Sequence, residues 1–213
     1  MYKTILFQGD SITDCHRSRQ DLSCMGNGYA HFVKATLGAQ NPGEYQFINR
    51  GESGNRIVDL YARIKSDFIN LQPDYASIYI GVNDAWHEIS SQNGVDTPKF
   101  EKIYHMLIDE IQAACPQTKI MIIAPFVLHG PATENTPEIP NRWERFQADV
   151  AEKAEVAKRI AETYGFPLIQ LQPVFDEACK KAPPTYWAYD GVHPTPCGHE
   201  LIKNLWLETF QKL

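Results

Sequence analysis

Short apolar runs separated by longer stretches of helical periodicity constrain this chain more than any other feature. Residues 4–7, 45–48, 75–80, 119–124 and 167–171 are short, rich in Ile, Tyr and Phe, and mostly unalternating. That is the pattern of strands buried on both faces. Between them, residues 56–71 set Ile57, Leu60, Tyr61, Ile64, Phe68 and Leu71 at spacings of three and four, along one face of a helix. Residues 142–164 and 199–213 carry similar stripes. Alternation of this kind predicts right-handed βαβ units, and five strands predict a flavodoxin-like, three-layer α/β/α sandwich around a five-stranded parallel sheet. With 213 residues the chain can bury one sizeable core and reads as a single domain over 1–213. Ligands in such folds bind beyond the carboxyl ends of the strands, so chemistry is expected just after strands. Two stretches containing several prolines, 126–141 and 181–198, exceed ordinary connections and are expected to act as lids.

Composition removes several functional classes. A net charge of −6 leaves no basic footprint for nucleic acid or an anionic membrane surface, so neither is expected as a partner. No segment approaches the length of a membrane span, and the apolar run in MYKTILFQGD is too short for a signal peptide. The five cysteines are odd in number and scattered, with no CxxC pair. They argue against a disulfide framework or a zinc site and for a reduced, cytoplasmic compartment. No metal or other cofactor is expected.

Four stretches after predicted strands carry candidate chemistry. Gly9-Asp10-Ser11 follows the first. Either Asp10 or Ser11 caps a helix there, or Ser11 is a nucleophile whose own N–H faces a developing negative charge. Asn49-Arg50-Gly51-Glu52-Ser53-Gly54-Asn55 follows the second; its glycines let a backbone N–H approach a ligand, and Ser53 is a rival hydroxyl without a placed base. Gly81-Val82-Asn83-Asp84 follows the third, with Asn83 as an uncharged amide donor and a loop bearing Trp86 and His87 behind it. Near the C-terminus, Tyr189-Asp190-Gly191-Val192-His193-Pro194 puts a carboxylate and an imidazole on one loop, so that one ring nitrogen can meet the acid and the other a hydroxyl. Each stretch alone is unremarkable. Their joint order makes Ser11 a better nucleophile than cap.

The blocks GDSITD, NRGESGN, GVND and DGVHP resemble, in order, the four blocks of the SGNH (GDSL-type) esterases, from Gly9 to Pro194. The resemblance implies Ser11 as nucleophile, Asp190 and His193 as the dyad that activates it, and Ser11, Gly54 and Asn83 as oxyanion-hole donors. Gly51 is a weaker match for the second-block glycine. Finer stretches, GDSITDCHR, GNGYA, NRGESGNRIVDLYAR, IGVNDAWHEI and WAYDGVHPTPCGH, are similar to bacterial acetylxylan or xylooligosaccharide acetylesterases. Those relatives carry Trp before the dyad aspartate where this chain has Tyr189, which implies a more polar acyl pocket.

The activity implied is hydrolysis of a short ester, acetyl on a carbohydrate, through an acyl-enzyme, with Trp86, Trp187 and Tyr189 as aromatic walls of which Trp86 and Tyr189 are the substrate-binding candidates. A homo-oligomer is implied by the resemblance. Three other readings compete. One is a lysophospholipase- or thioesterase-like acyl hydrolase of the same family. A second is a metal-dependent phosphoesterase using Asp10, Asp14, Asn83, Asp84 and His193. The third is a carbohydrate-binding domain with a dead site.

Overall fold

The computed structural model describes residues 2–213. β1 (Lys3–Gly9) leads through α1 (Ser11–Asp14) and α2 (Tyr29–Gln40) to β2 (Tyr45–Gly51). α3 (Ile57–Ala62), α4 (Ile64–Asp67) and a 3-10 turn over Ile69–Leu71 return the chain to β3 (Tyr75–Tyr79). α5 (Val82–Ser91) and α6 (Thr97–Ala114) precede β4 (Lys119–Ala124), and α7 (Arg142–Tyr164) precedes β5 (Leu168–Gln170). α8 (Gln172–Cys179), α9 (Pro184–Trp187) and α10 (Pro196–Phe210) complete the chain. The strands pair in parallel in the order β2-β1-β3-β4-β5, the flavodoxin-like order.

Successive strand residues point to opposite faces, which builds two cores. Ile5, Phe7, Tyr79, Met121 and Ile123 pack against Tyr29 and Val33 of α2 and Ile202 and Trp206 of α10. Leu6, Ala76, Ile78, Ile120 and Ile122 pack against Leu60, Ile64, Tyr104, Leu107 and Ile160 from α3, α4, α6 and α7. Each fully buried Ile, Leu, Phe or Met side chain among them contributes about 1.5–3 kcal/mol. This is the expected three-layer α/β/α sandwich.

Two local departures have physical causes. The helix expected over 56–71 is broken at Arg63, whose guanidinium donates to Gly9 O at 3.0 Å and Arg50 O at 2.7 Å. Satisfying those carbonyls at the ends of β1 and β2 outweighs continuing the helix. The segment carrying Trp86 and His87, expected as a loop, is helix α5. α2, α6 and α8 were not anticipated, although Asp96 caps α6 by accepting from Lys99 N–H at 2.9 Å. Among the described residues no helix is long and apolar enough to cross a membrane, and all five cysteines are free.

Candidate active site

β1 ends against β3 so closely that a Cβ on Gly9 would lie 2.4 Å from both Tyr79 O and Thr13 Oγ1. The chain then enters α1, a single turn capped by Asp10, whose Oδ1 accepts from Ile12 N–H at 3.0 Å. Asp10 is therefore the cap. Ser11, the first helical residue, keeps its hydroxyl free of that role, and an N–H at this position has no intrahelical partner.

That hydroxyl meets the far end of the chain. Ser11 Oγ lies 2.9 Å from His193 Nε2, and His193 Nδ1 lies 2.7 Å from Asp190 Oδ2. Asp190 Oδ1 accepts from the N–H groups of Val192 at 2.9 Å and His193 at 2.8 Å. An Nδ1–H donated to the carboxylate leaves Nε2 as the acceptor for a hydroxyl proton. Burial works to raise the Asp190 carboxyl, but the hydrogen bonds from His193 and Val192 outweigh it and hold the group at about 2. The bond to Asp190 raises His193 above its ordinary value against the opposing effect of burial.

Gly54 has φ +83°, in the left-handed region, with open space where a Cβ would stand. Its freedom is thus a backbone requirement rather than a packing one. Asn83, in the first turn of α5, donates one amide N–H to Asn55 O at 3.1 Å and retains a second.

The site opens into a cleft of about 780 Å³. Ser11, Gly54, Asn83 and His193 are joined there by Trp86 and by Tyr189, which is 61% exposed. The Trp86 ring centre sits 5.7 Å from that of His193. Asp190 stands behind the imidazole, outside the lining. Trp187 does not line the cleft either: its indole N–H donates to Ala178 O at 3.1 Å, which ties the loop to α8.

The stretch 126–141 is a buttress, not a lid. It contributes nothing to the cleft lining, and Leu128 and Ala132 donate their N–H groups to Gly191 O at 2.8 Å and Asp190 O at 2.9 Å. Buried Thr133 holds the turn by donating to Leu128 O at 2.8 Å and accepting from Gly130 N–H at 2.9 Å. The stretch 181–198, by contrast, brings Tyr189, His193 and Pro194 to the cleft.

Ser53 donates to Asp14 Oδ2 at 2.8 Å. Burial opposes ionisation of Asp14, but Arg19 and Ser53 outweigh it and hold the carboxyl below its usual range, so it is a poor base for Ser53. The carboxylates of the phosphoesterase reading are dispersed. Asp10 caps α1, Asp14 faces Arg19 and Ser53, and Asp84 accepts from Ile57 N–H at 3.1 and 3.2 Å. Among the described residues no three acidic, His or Cys side chains are grouped to hold a metal ion.

Sequence reasoning missed Cys15, His16, Arg19 and Ser90 of the rim, which His87, singled out behind Asn83, also joins. It also missed the buried Arg17, which donates to Gly51 O at 2.8 Å and pairs with Glu52. His199 is a buried structural group: its Nδ1 accepts from Tyr29 N–H at 3.1 Å, and burial lowers it to about 4. The only advance signal for the rim was its adjacency to Ser11 and Asn83 in the chain.

Comparison with known proteins identifies the family. The model of the GDSL-like lipase/acylhydrolase family matches residues 7–201. The chain belongs to that family. Membership makes it an ester hydrolase. As a GDSL-like acylhydrolase it is 33% identical to an acetylxylan esterase of Geobacillus stearothermophilus over 95% of this chain and 91% of that protein. A crystal structure from Parabacteroides merdae, assigned to the GDSL-like lipases, superposes with a TM-score of 0.90 at 33% identity, covering 99% of this chain and 97% of the other. A catalytic mutant of an acetylxylan esterase from Geobacillus stearothermophilus superposes with a TM-score of 0.85 at 30% identity, covering 97% and 93%.

Proposed function

We propose that the protein is a serine esterase that removes short acyl groups, acetyl foremost, from carbohydrates such as xylo-oligosaccharides through an acyl-enzyme. The observation that carries the reading is the continuous relay from Ser11 Oγ through His193 to Asp190, at 2.9 and 2.7 Å. His193 takes the hydroxyl proton as Ser11 attacks the ester carbon, and Asp190 stabilises the imidazolium that forms. The negative oxygen is met by the N–H groups of Ser11 and Gly54 and the free amide hydrogen of Asn83. Loss of one such donor typically raises the barrier by about 3–4 kcal/mol. His193 then protonates the leaving alcohol, and water reverses the sequence.

The substrate class is supported by the cleft wall and by the relatives. Ser53, Asn83, His87, Ser90, His16 and Arg19 line the cleft with hydrogen-bonding groups. Trp86 and Tyr189 supply flat faces suited to sugar rings. The acetylxylan esterase relative spans nearly the whole chain. Two measurements test the proposal. Ser11→Ala should abolish turnover of p-nitrophenyl acetate while the protein still melts cooperatively; substantial residual turnover would overturn the nucleophile. Turnover should fall as the p-nitrophenyl acyl chain lengthens and acetate should be released from acetylated xylo-oligosaccharides. A preference for long chains would move the protein among the lipid acyl hydrolases instead.

A further inference from the structure

Asn83 and Asp84 are consecutive, yet only the first reaches the cleft. Asp84 has no exposed surface, and both carboxylate oxygens face one donor, the N–H of Ile57, at 3.1 and 3.2 Å. Ile57 opens α3, immediately after the turn that carries Gly54 and Asn55. Asn83 grips the same turn two residues earlier through Asn55 O. The backbone carbonyl of Asp84 accepts from Val95 N–H at 3.1 Å, so the residue also fastens the far end of the α5 loop. The two loops that carry Gly54 and Asn83 follow different strands and are joined by these two neighbouring side chains.

Such a tie is expensive to bury unless a cation answers it. Lys153 of α7 is fully buried, with its ammonium on Asp149 and 3.0 Å from Thr97 Oγ1. Burial pushes the Asp84 carboxyl well up, and the Ile57 N–H and the charge of Lys153 are the main forces pulling it back; Asp10 pushes it further up.

We infer that Asp84 is a positioning residue for the oxyanion hole, holding the Gly54–Ile57 turn against the start of α5 so that the Gly54 and Asn83 donors keep one fixed separation. The inference rests on the reading of Gly54 and Asn83 as those donors. Asp84 touches no substrate; it acts on the transition state through the geometry of others. Its loss therefore lowers kcat and leaves KM nearly unchanged, because ground-state binding uses the aromatic and polar rim.

The experiment compares Asp84→Ala, Asp84→Asn and Asn83→Ala on p-nitrophenyl acetate. Asp84→Ala should lower kcat about a hundredfold, the cost of roughly an ångström of misplacement, with KM within a factor of a few. Asp84→Asn, which keeps an acceptor oxygen for Ile57, should recover most of that loss. If Asp84→Ala fails to fold, the same bond is removed from its other end. Ile57→Pro deletes the N–H at a first helical position where proline is tolerated, and Ile57→Ala, which keeps the N–H, is its reference. The Pro variant should then turn over well below the Ala variant. Equal kcat in that pair, or a folded Asp84→Ala with wild-type kcat, overturns the inference. The outcome for Asn83→Ala separates the two levels: normal kcat there would remove the oxyanion-hole reading itself, whereas a large loss there beside an unaffected Asp84→Ala would remove only the positioning role.

Discussion

Asp10 is the most unusual residue of the site. It has no exposed surface, one oxygen caps α1, and the other has no hydrogen-bond partner. Burial raises its carboxyl to about 7. The unfolded chain releases this proton near 4, so native stability falls as pH climbs from about 4 to about 7 and levels off above that. Asp10→Asn keeps the capping oxygen without the charge. Its melting temperature should exceed that of the wild type at about pH 8, with the gap narrowing towards about pH 5; a constant gap across that range would contradict the buried charge. Asp190 has the opposite sign: its contribution to stability is present above about 4 and is lost as pH falls towards about 2. In turnover, neutral His193 is the working base, so the rate should rise through a pKa held above the ordinary imidazole value. Asp190→Asn should cut kcat by several orders of magnitude and move the rising limb of the pH–rate profile to lower pH; an unmoved limb would detach the dyad. Ser11, Asp190 and His193 were legible because each sits in a short block after an apolar run or beside a proline. Which of Asp10 and Ser11 caps α1 was not, since both are good caps and only the entry angle of the turn decides.

Among the elements, the 126–141 segment shows why a proline-rich loop is hard to read. Its three prolines and single glycine suit a mobile cover as well as a fixed turn, and the difference lies in hydrogen bonds to residues about sixty positions away. Thr133 is the test of the fixed reading. Thr133→Val removes the acceptor for the buried Gly130 N–H and the donor to Leu128 O. It should cost about 1–3 kcal/mol in urea unfolding, and loosen the backing of Asp190 enough to lower kcat. No change in either would return the segment to the role of a cover. The long stripe of α7 was legible over its full length because nothing interrupts it. The 56–71 stripe was legible as a face but not as a broken helix, because the carbonyls that capture Arg63 belong to two strands, β1 and β2, outside the stripe itself.

At the scale of the molecule, alternation of runs and stripes was enough to anticipate the sheet, because parallel strands buried on both faces leave few other arrangements. The sheet then gathers the ends of β1, β2 and β3 and the last loop at one edge. A site assembled from four loops on one sheet should fail with the sheet. In a urea titration, esterase activity and far-ultraviolet circular dichroism should fall together; activity lost well before the dichroism would mean that the loops let go independently.

The two partners of the 2.9 Å contact between Ser11 and His193 are 182 positions apart. A ribosome therefore delivers the hydroxyl 182 residues before the imidazole. A nascent chain stays inert until His193 has been made, whatever native-like structure it reaches earlier. An acyl hydrolase built this way is born switched off and becomes active only once the loop carrying Asp190 and His193 has reached Ser11.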